Sequence, residues 1–74
     1  MFKLDKGQLY RIQDTFVLVS SNGEGFALNM FAVYEEAYIC KYTGKKIYIF
    51  EDYPDGGITQ FDEERMKQLI ITPY

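Results

Sequence analysis

Seventy-four residues allow one domain, 1–74, and a chain this short buries about 60–65% of the surface its unfolded form exposes. A net charge of −3 does not suit a general binder of the phosphate backbone, and the lack of histidine removes the commonest general base at neutral pH and the commonest metal ligand. A single cysteine allows no internal disulfide and no zinc cluster.

Met1 to Lys6 is a charged lead-in without an apolar run of signal-peptide length, and no stretch approaches the ~20 apolar residues that span a bilayer. The expected location is cytoplasmic, with no membrane partner. Gly7 marks a turn. Gln8 to Gln13 suits a strand, and Asp14 breaks it. Thr15 to Ser21 is β-branched and aromatic, which suits a strand, and Asn22-Gly23 supplies the positive φ of a tight reversal. Thr15 to Ala32 therefore reads as a β-hairpin.

Residues 33 to 43 carry two readings. As a strand they put Tyr38, Cys40 and Tyr42 on one face. As a helix closed by Gly44 they make an i, i+4 stripe of Tyr34, Tyr38 and Tyr42. A spacing of four satisfies both periods, so that trio is expected to share a face in either case. Lys46 to Glu51 is a strand, with Ile47 and Ile49 opposite Tyr48 and Phe50. Tyr53 to Gly57 is a turn in which proline presets φ and glycine takes the left-handed position. Ile58 and Thr59 add a short edge strand. Asp62 to Ile70 is read as a helix. Asp62 caps it, Glu63 and Glu64 suit its positive end, and Phe61 staples onto Met66. Pro73 ends the element.

The runs Gly7 to Ile12, Phe16 to Ser21, Phe26 to Met30, Thr43 to Tyr48 and Gly57 to Thr59, followed by a short helix, together resemble the layout of small SH3-like β-barrel accessory proteins encoded in phage genomes. The resemblance spans most of residues 7 to 70. It implies an accessory or regulatory role and carries over no catalytic residue.

The expected fold is mainly β (α+β). It is a curled antiparallel sheet or small SH3-like barrel of four to five strands with one C-terminal helix. The alternative is an open sheet with a second helix over residues 33–43. Core candidates are Phe2, Phe16, Phe26, Phe31, Phe50 and Phe61, with Leu18, Leu28, Ile49 and Leu69 joining them.

No catalytic, cofactor-binding or metal-binding residue emerges. Paired acids at Glu35-Glu36, Glu51-Asp52 and Asp62 to Glu64 are explained by solvated turns and a helix cap, since a thin core leaves little room for a substrate cleft. Cys40 is either a small core residue or a thiol made slightly more acidic by Lys41. Seven tyrosines exceed what a small core needs, because each buried hydroxyl wants a partner, so some rings are expected half exposed.

The functional expectation is a non-enzymatic protein–protein interaction module, an inhibitor or regulator of a host factor. Its contacts would be Tyr34, Tyr38, Tyr42, Tyr48 and Tyr53, with Glu35, Glu36, Glu51, Asp52 and Asp55 setting orientation. The partner is another protein, and self-association into a homodimer is expected from the marginal core and an open strand edge. The alternative is a small nucleic-acid-binding barrel using a tip of Lys41, Lys45 and Lys46 beside Tyr42 and Tyr48.

Overall fold

The structure is a computed structural model that describes residues 3–14, 18–19, 25–26 and 28–74. Its strands are β1 (Leu9–Asp14), β2 (Leu18–Val19), β3 (Gly25–Phe26), β4 (Asn29–Ile39), β5 (Lys46–Tyr53), β6 (Ile58–Asp62) and β7 (Leu69–Pro73). One helical turn, α1 (Glu63–Met66), lies between β6 and β7. Five strands form a single curled antiparallel sheet in the order β6-β5-β4-β1-β7. β2 and β3 pair separately, Leu18 with Phe26 and Val19 with Gly25.

The hairpin expected over 15–32 is thus seen at its 18–19 and 25–26 rungs. From Asn29 onward the chain belongs to the large sheet instead, where Phe31, Ala32 and Val33 pair with Arg11, Tyr10 and Leu9. Segment 33–43 resolves as strand, not helix. β4 runs to Ile39, and Cys40 to Lys45 turn the chain into β5. The Gly44 amide donates to the Cys40 carbonyl at 2.7 Å, and the Cys40 amide donates to the Lys45 carbonyl at 2.9 Å. Gly44, at φ 73°, closes a hairpin rather than capping a helix. The turn after Tyr53 is closed by Asp52 and Gly57, with Gly56 left-handed at φ 82° as its sequence implied.

The helix read over 62–70 is a single turn. Asp62 caps it by accepting the Arg65 amide at 2.7 Å, and Phe61 and Met66 are both buried in the core. Beyond Met66 the period changes. Leu69 and Ile71 alternate with Ile70 and Thr72, and the free edge of β1 offers these residues a ladder, Ile12 opposite Ile71 and Gln13 opposite Ile70. A second helical turn would have left that edge unpaired, so the chain ends in a strand.

The core lies on one sheet face and is built by alternation: Tyr10 and Ile12 of β1, Ala32 of β4, Tyr48 and Phe50 of β5, Phe61 of β6 and Leu69 of β7, with Met66 closing over them. Phe50 anchors it through edge-to-face contacts with Tyr34 at 5.5 Å and Phe61 at 5.9 Å. The buried Tyr10 hydroxyl accepts the Asp5 amide at 2.8 Å. Leu28 packs against this cluster, as expected. Ile49 and Phe31 do not belong to it. They occupy the opposite face, because Tyr48 and Phe50 take the inner positions of β5, and Ala32 takes that of β4. Phe2 and Phe16 lie outside the described residues, and Leu18 and Phe26 are described as backbone.

Candidate binding surface

The outer sheet face follows from the same registers. One row across the strands reads Thr72, Arg11, Phe31, Tyr53. The next reads Leu9, Val33, Glu51, Ile58. A third holds Glu36, Ile49 and Gln60, and a fourth Tyr38, Ile47 and Asp62. An antiparallel sheet with one wet face normally alternates apolar inward and polar outward. Here the second face also carries leucine, valine, isoleucine and aromatic side chains. Ile58 and Tyr53 are each 60% exposed.

At one end of this face the side chains form a groove of about 270 Å³ lined by Leu9, Phe31, Tyr53, Pro54 and Tyr74. Tyr74 reaches it because its amide donates to the Leu9 carbonyl at 3.0 Å, which continues the β7 pairing by one residue. Its ring then meets Phe31 edge-on at 4.8 Å. Tyr53 and Pro54 arrive from β5 and its turn, joined by a cis peptide bond. Glu51 stands beside the groove on the outer face, and Asp55 is exposed in the neighbouring turn.

The tyrosine trio of β4 is divided. A register shift between Tyr34 and Glu36 inserts one extra residue, so Tyr34 pairs with Phe50 on the inner face while Tyr38 pairs with Ile47 on the outer face. The expected shared face required an unbroken ladder, and the bulge removes it. Burial raises the pKa of the Tyr34 hydroxyl, with Tyr48 and Glu36 adding to the shift. The Tyr38 hydroxyl donates to Gln60 Oε1 at 3.5 Å. Tyr42 stands alone in the hairpin loop, 93% exposed. Tyr48 is 5% exposed and belongs to the core, so it is not a half-exposed contact.

Of the acidic candidates, Glu35 is half-buried at the bulge and Glu36 is exposed. Asp52 points to the inner side, where its Oδ1 accepts the Thr59 hydroxyl at 2.6 Å; it holds the turn rather than offering itself to a partner. Lys41 and Lys45 are exposed at the loop, whereas Lys46 turns back, its Nζ 5.3 Å from the centre of the Tyr48 ring. Thus one of the three lysines and one of the two rings of the expected basic tip are engaged within the fold. Cys40 is half-buried at the start of that loop, and its thiol pKa is lowered. The leading cause is a hydrogen bond from the Thr43 side chain, followed by the backbone amides of Thr43 and Tyr42; Lys41 is not among the causes.

Leu9, Phe31, Pro54 and Tyr74 escaped the sequence reading. Tyr74 lies 43 residues from Phe31 along the chain, and only the β1–β7 pairing brings them together. No family model, curated protein or solved structure matches the chain. Among the described residues, no helix is long and apolar enough to cross a membrane, and no three acidic or cysteine side chains converge as a metal site would need.

Proposed function

We propose that this protein is a non-enzymatic interaction module that inhibits or regulates another protein by covering part of its surface. The observation that carries this reading is the aromatic groove of Leu9, Phe31, Tyr53, Pro54 and Tyr74 at one end of the outer sheet face, where apolar and charged side chains are mixed. Large rings with few rotatable bonds bury area at low entropic cost, which is why aromatic anchors concentrate binding energy. Tyr53 supplies the anchor from the set expected on sequence, and Glu51 and Asp55 beside it select orientation. The rigid scaffold behind the groove, two strands deep on either side of β4, keeps the rings in place before a partner arrives.

Capture of the partner from native cytoplasm by the intact protein tests this, compared across Tyr53→Ala, Tyr74→Ala and Tyr42→Ala. All three side chains are exposed, so the fold is expected to survive each change. Loss of the captured protein with Tyr53→Ala and Tyr74→Ala, but not with Tyr42→Ala, supports the reading. Recovery of nucleic acid alone, released steeply by salt and lost with Tyr42→Ala, replaces it with the loop of Lys41 and Lys45 as the working surface.

A further inference from the structure

The two edges of the five-stranded sheet differ. The Tyr74 amide bonds to Leu9, so alternation turns the backbone groups of Leu69, Ile71 and Pro73 outward from β7. Proline has no N–H, so Pro73 leaves that edge without a donor at its end, a common protection of strand edges. At the other edge the Asp52 amide donates to the Gly57 carbonyl at 2.6 Å. The same alternation points the N–H and C=O groups of Ile58 and Gln60 away from the sheet. β6 contains no proline, no lysine and no bulge; its register with β5 is unbroken from Ile58 to Asp62. The exposed Ile58 side chain stands on the outer face at this edge, opposite Glu51.

Charge selects the strand that this edge accepts. Between Lys46 and Arg65 the chain carries six carboxylates, Glu51, Asp52, Asp55, Asp62, Glu63 and Glu64, and no basic side chain. Two copies meeting through β6 would bring two such segments together within a Debye length of about 8 Å, where like charges are poorly screened. A basic strand meets the opposite field.

We infer that the β6 edge binds an extended segment of another protein in which apolar residues alternate with lysine or arginine, adding a sixth strand to the sheet. Main-chain bonds to Ile58 and Gln60 supply the pairing. The basic side chains of the added strand fall on the outer face, their stems passing over Ile58 toward Glu51 and Asp62, and its apolar side chains fall on the opposite face beside Thr59 and Phe61. This rests on the reading of the chain as a protein-binding module and names the chemistry of what it binds.

The test uses the full chain and a blocked seven-residue peptide alternating lysine and valine, followed by backbone amide NMR and hydrogen exchange. The expected result is saturable shifts confined to β6 and its neighbours and slower exchange at Ile58 and Gln60. Binding is expected to weaken at least about ten-fold when alternate peptide amides are N-methylated, when lysine is replaced by glutamate, or when Ile58→Lys is used. The N-methylated peptide tests the same contact on the native protein should Ile58→Lys perturb folding. Equal binding of the glutamate peptide overturns the charge assignment. Silence at β6 overturns the inference, and leaves the groove reading standing if partner capture still depends on Tyr53 and Tyr74. Exchange at Ile58 and Gln60 that slows with protein concentration alone makes a second copy the occupant and overturns it too. Edge binding with no dependence of partner capture on Tyr53 or Tyr74 sinks the groove and keeps the edge.

Discussion

Arg65 of the helical turn and Asp14 at the end of β1 are joined by a two-pronged ion pair, Nη2 to Oδ2 at 2.6 Å and Nη1 to Oδ1 at 3.3 Å. Only 4% of the Asp14 side chain is exposed, against 35% of Arg65. The pair straps α1 to the far side of the sheet across 51 residues of chain. Donating its hydrogen bonds to the Asp14 carboxylate raises the pKa of Arg65.

Arg65→Gln removes the two-pronged ion pair from a nearly buried carboxylate and should destabilise the protein by about 2 kcal/mol. Glu64→Gln, which loses only the exposed contact to Lys67 at 3.5 Å, should leave stability within about 0.5 kcal/mol. Urea denaturation of the two variants checks the contrast. Equal midpoints would remove the strap from the account.

The divided tyrosine trio predicts unequal alanine effects. Tyr34→Ala removes a ring that packs on Phe50 and should cost about 2–4 kcal/mol, near the lower end for a large core residue because Tyr34 is half-buried. Tyr38→Ala and Tyr42→Ala should each fall within about 1 kcal/mol of the parent. Similar melting temperatures for all three would mean that the β4 register is unbroken.

The Cys40 thiol should be alkylated faster than an unassisted thiol at the same pH and exposure, because the Thr43 hydrogen bond favours the thiolate. Thr43→Val removes the side-chain donor and should raise the thiol pKa toward its ordinary value, shifting the pH profile of alkylation upward. Lys41→Met should move that profile much less. A profile that follows Lys41 instead would assign the effect to charge.

Gly44→Ala meets no neighbouring atom, since a Cβ there has open space, yet its φ of 73° is strained for any side chain with a Cβ. The expected loss is about 1 kcal/mol, purely conformational, read as a shift in melting temperature. Gly44→Asn should recover part of it, because asparagine tolerates the left-handed region.

Several local signals in the sequence match the structure, whereas Asn22-Gly23 lies outside the described residues and Asp14, expected to break the first strand, is its last residue and pairs with Leu69. Gly7, Gly44 and Gly56 all turn the chain with positive φ, and Asp62 caps α1, because a turn or cap is decided within three or four residues. Alternation in 46–51 located β5 for the same reason. What the sequence left open was which of two alternating sets faces inward. Ile47 and Ile49 are as apolar as Tyr48 and Phe50, so the choice depends on what the neighbouring strands present. Nor does any local signal mark the bulge at Glu35, since Tyr34 to Ala37 reads as uninterrupted strand; the extra residue appears only when β4 is paired with β5. The stretch after Met66 had helical spacing at Leu69 and Ile70 and strand spacing at Leu69 and Ile71. The free edge of β1, nearly sixty residues earlier in the chain, decided between them by offering hydrogen-bond partners. The groove is a consequence of that choice. Tyr74 meets Phe31 because β7 is a strand, and contacts between residues so far apart follow from tertiary pairing, not from any pattern within a window of the sequence.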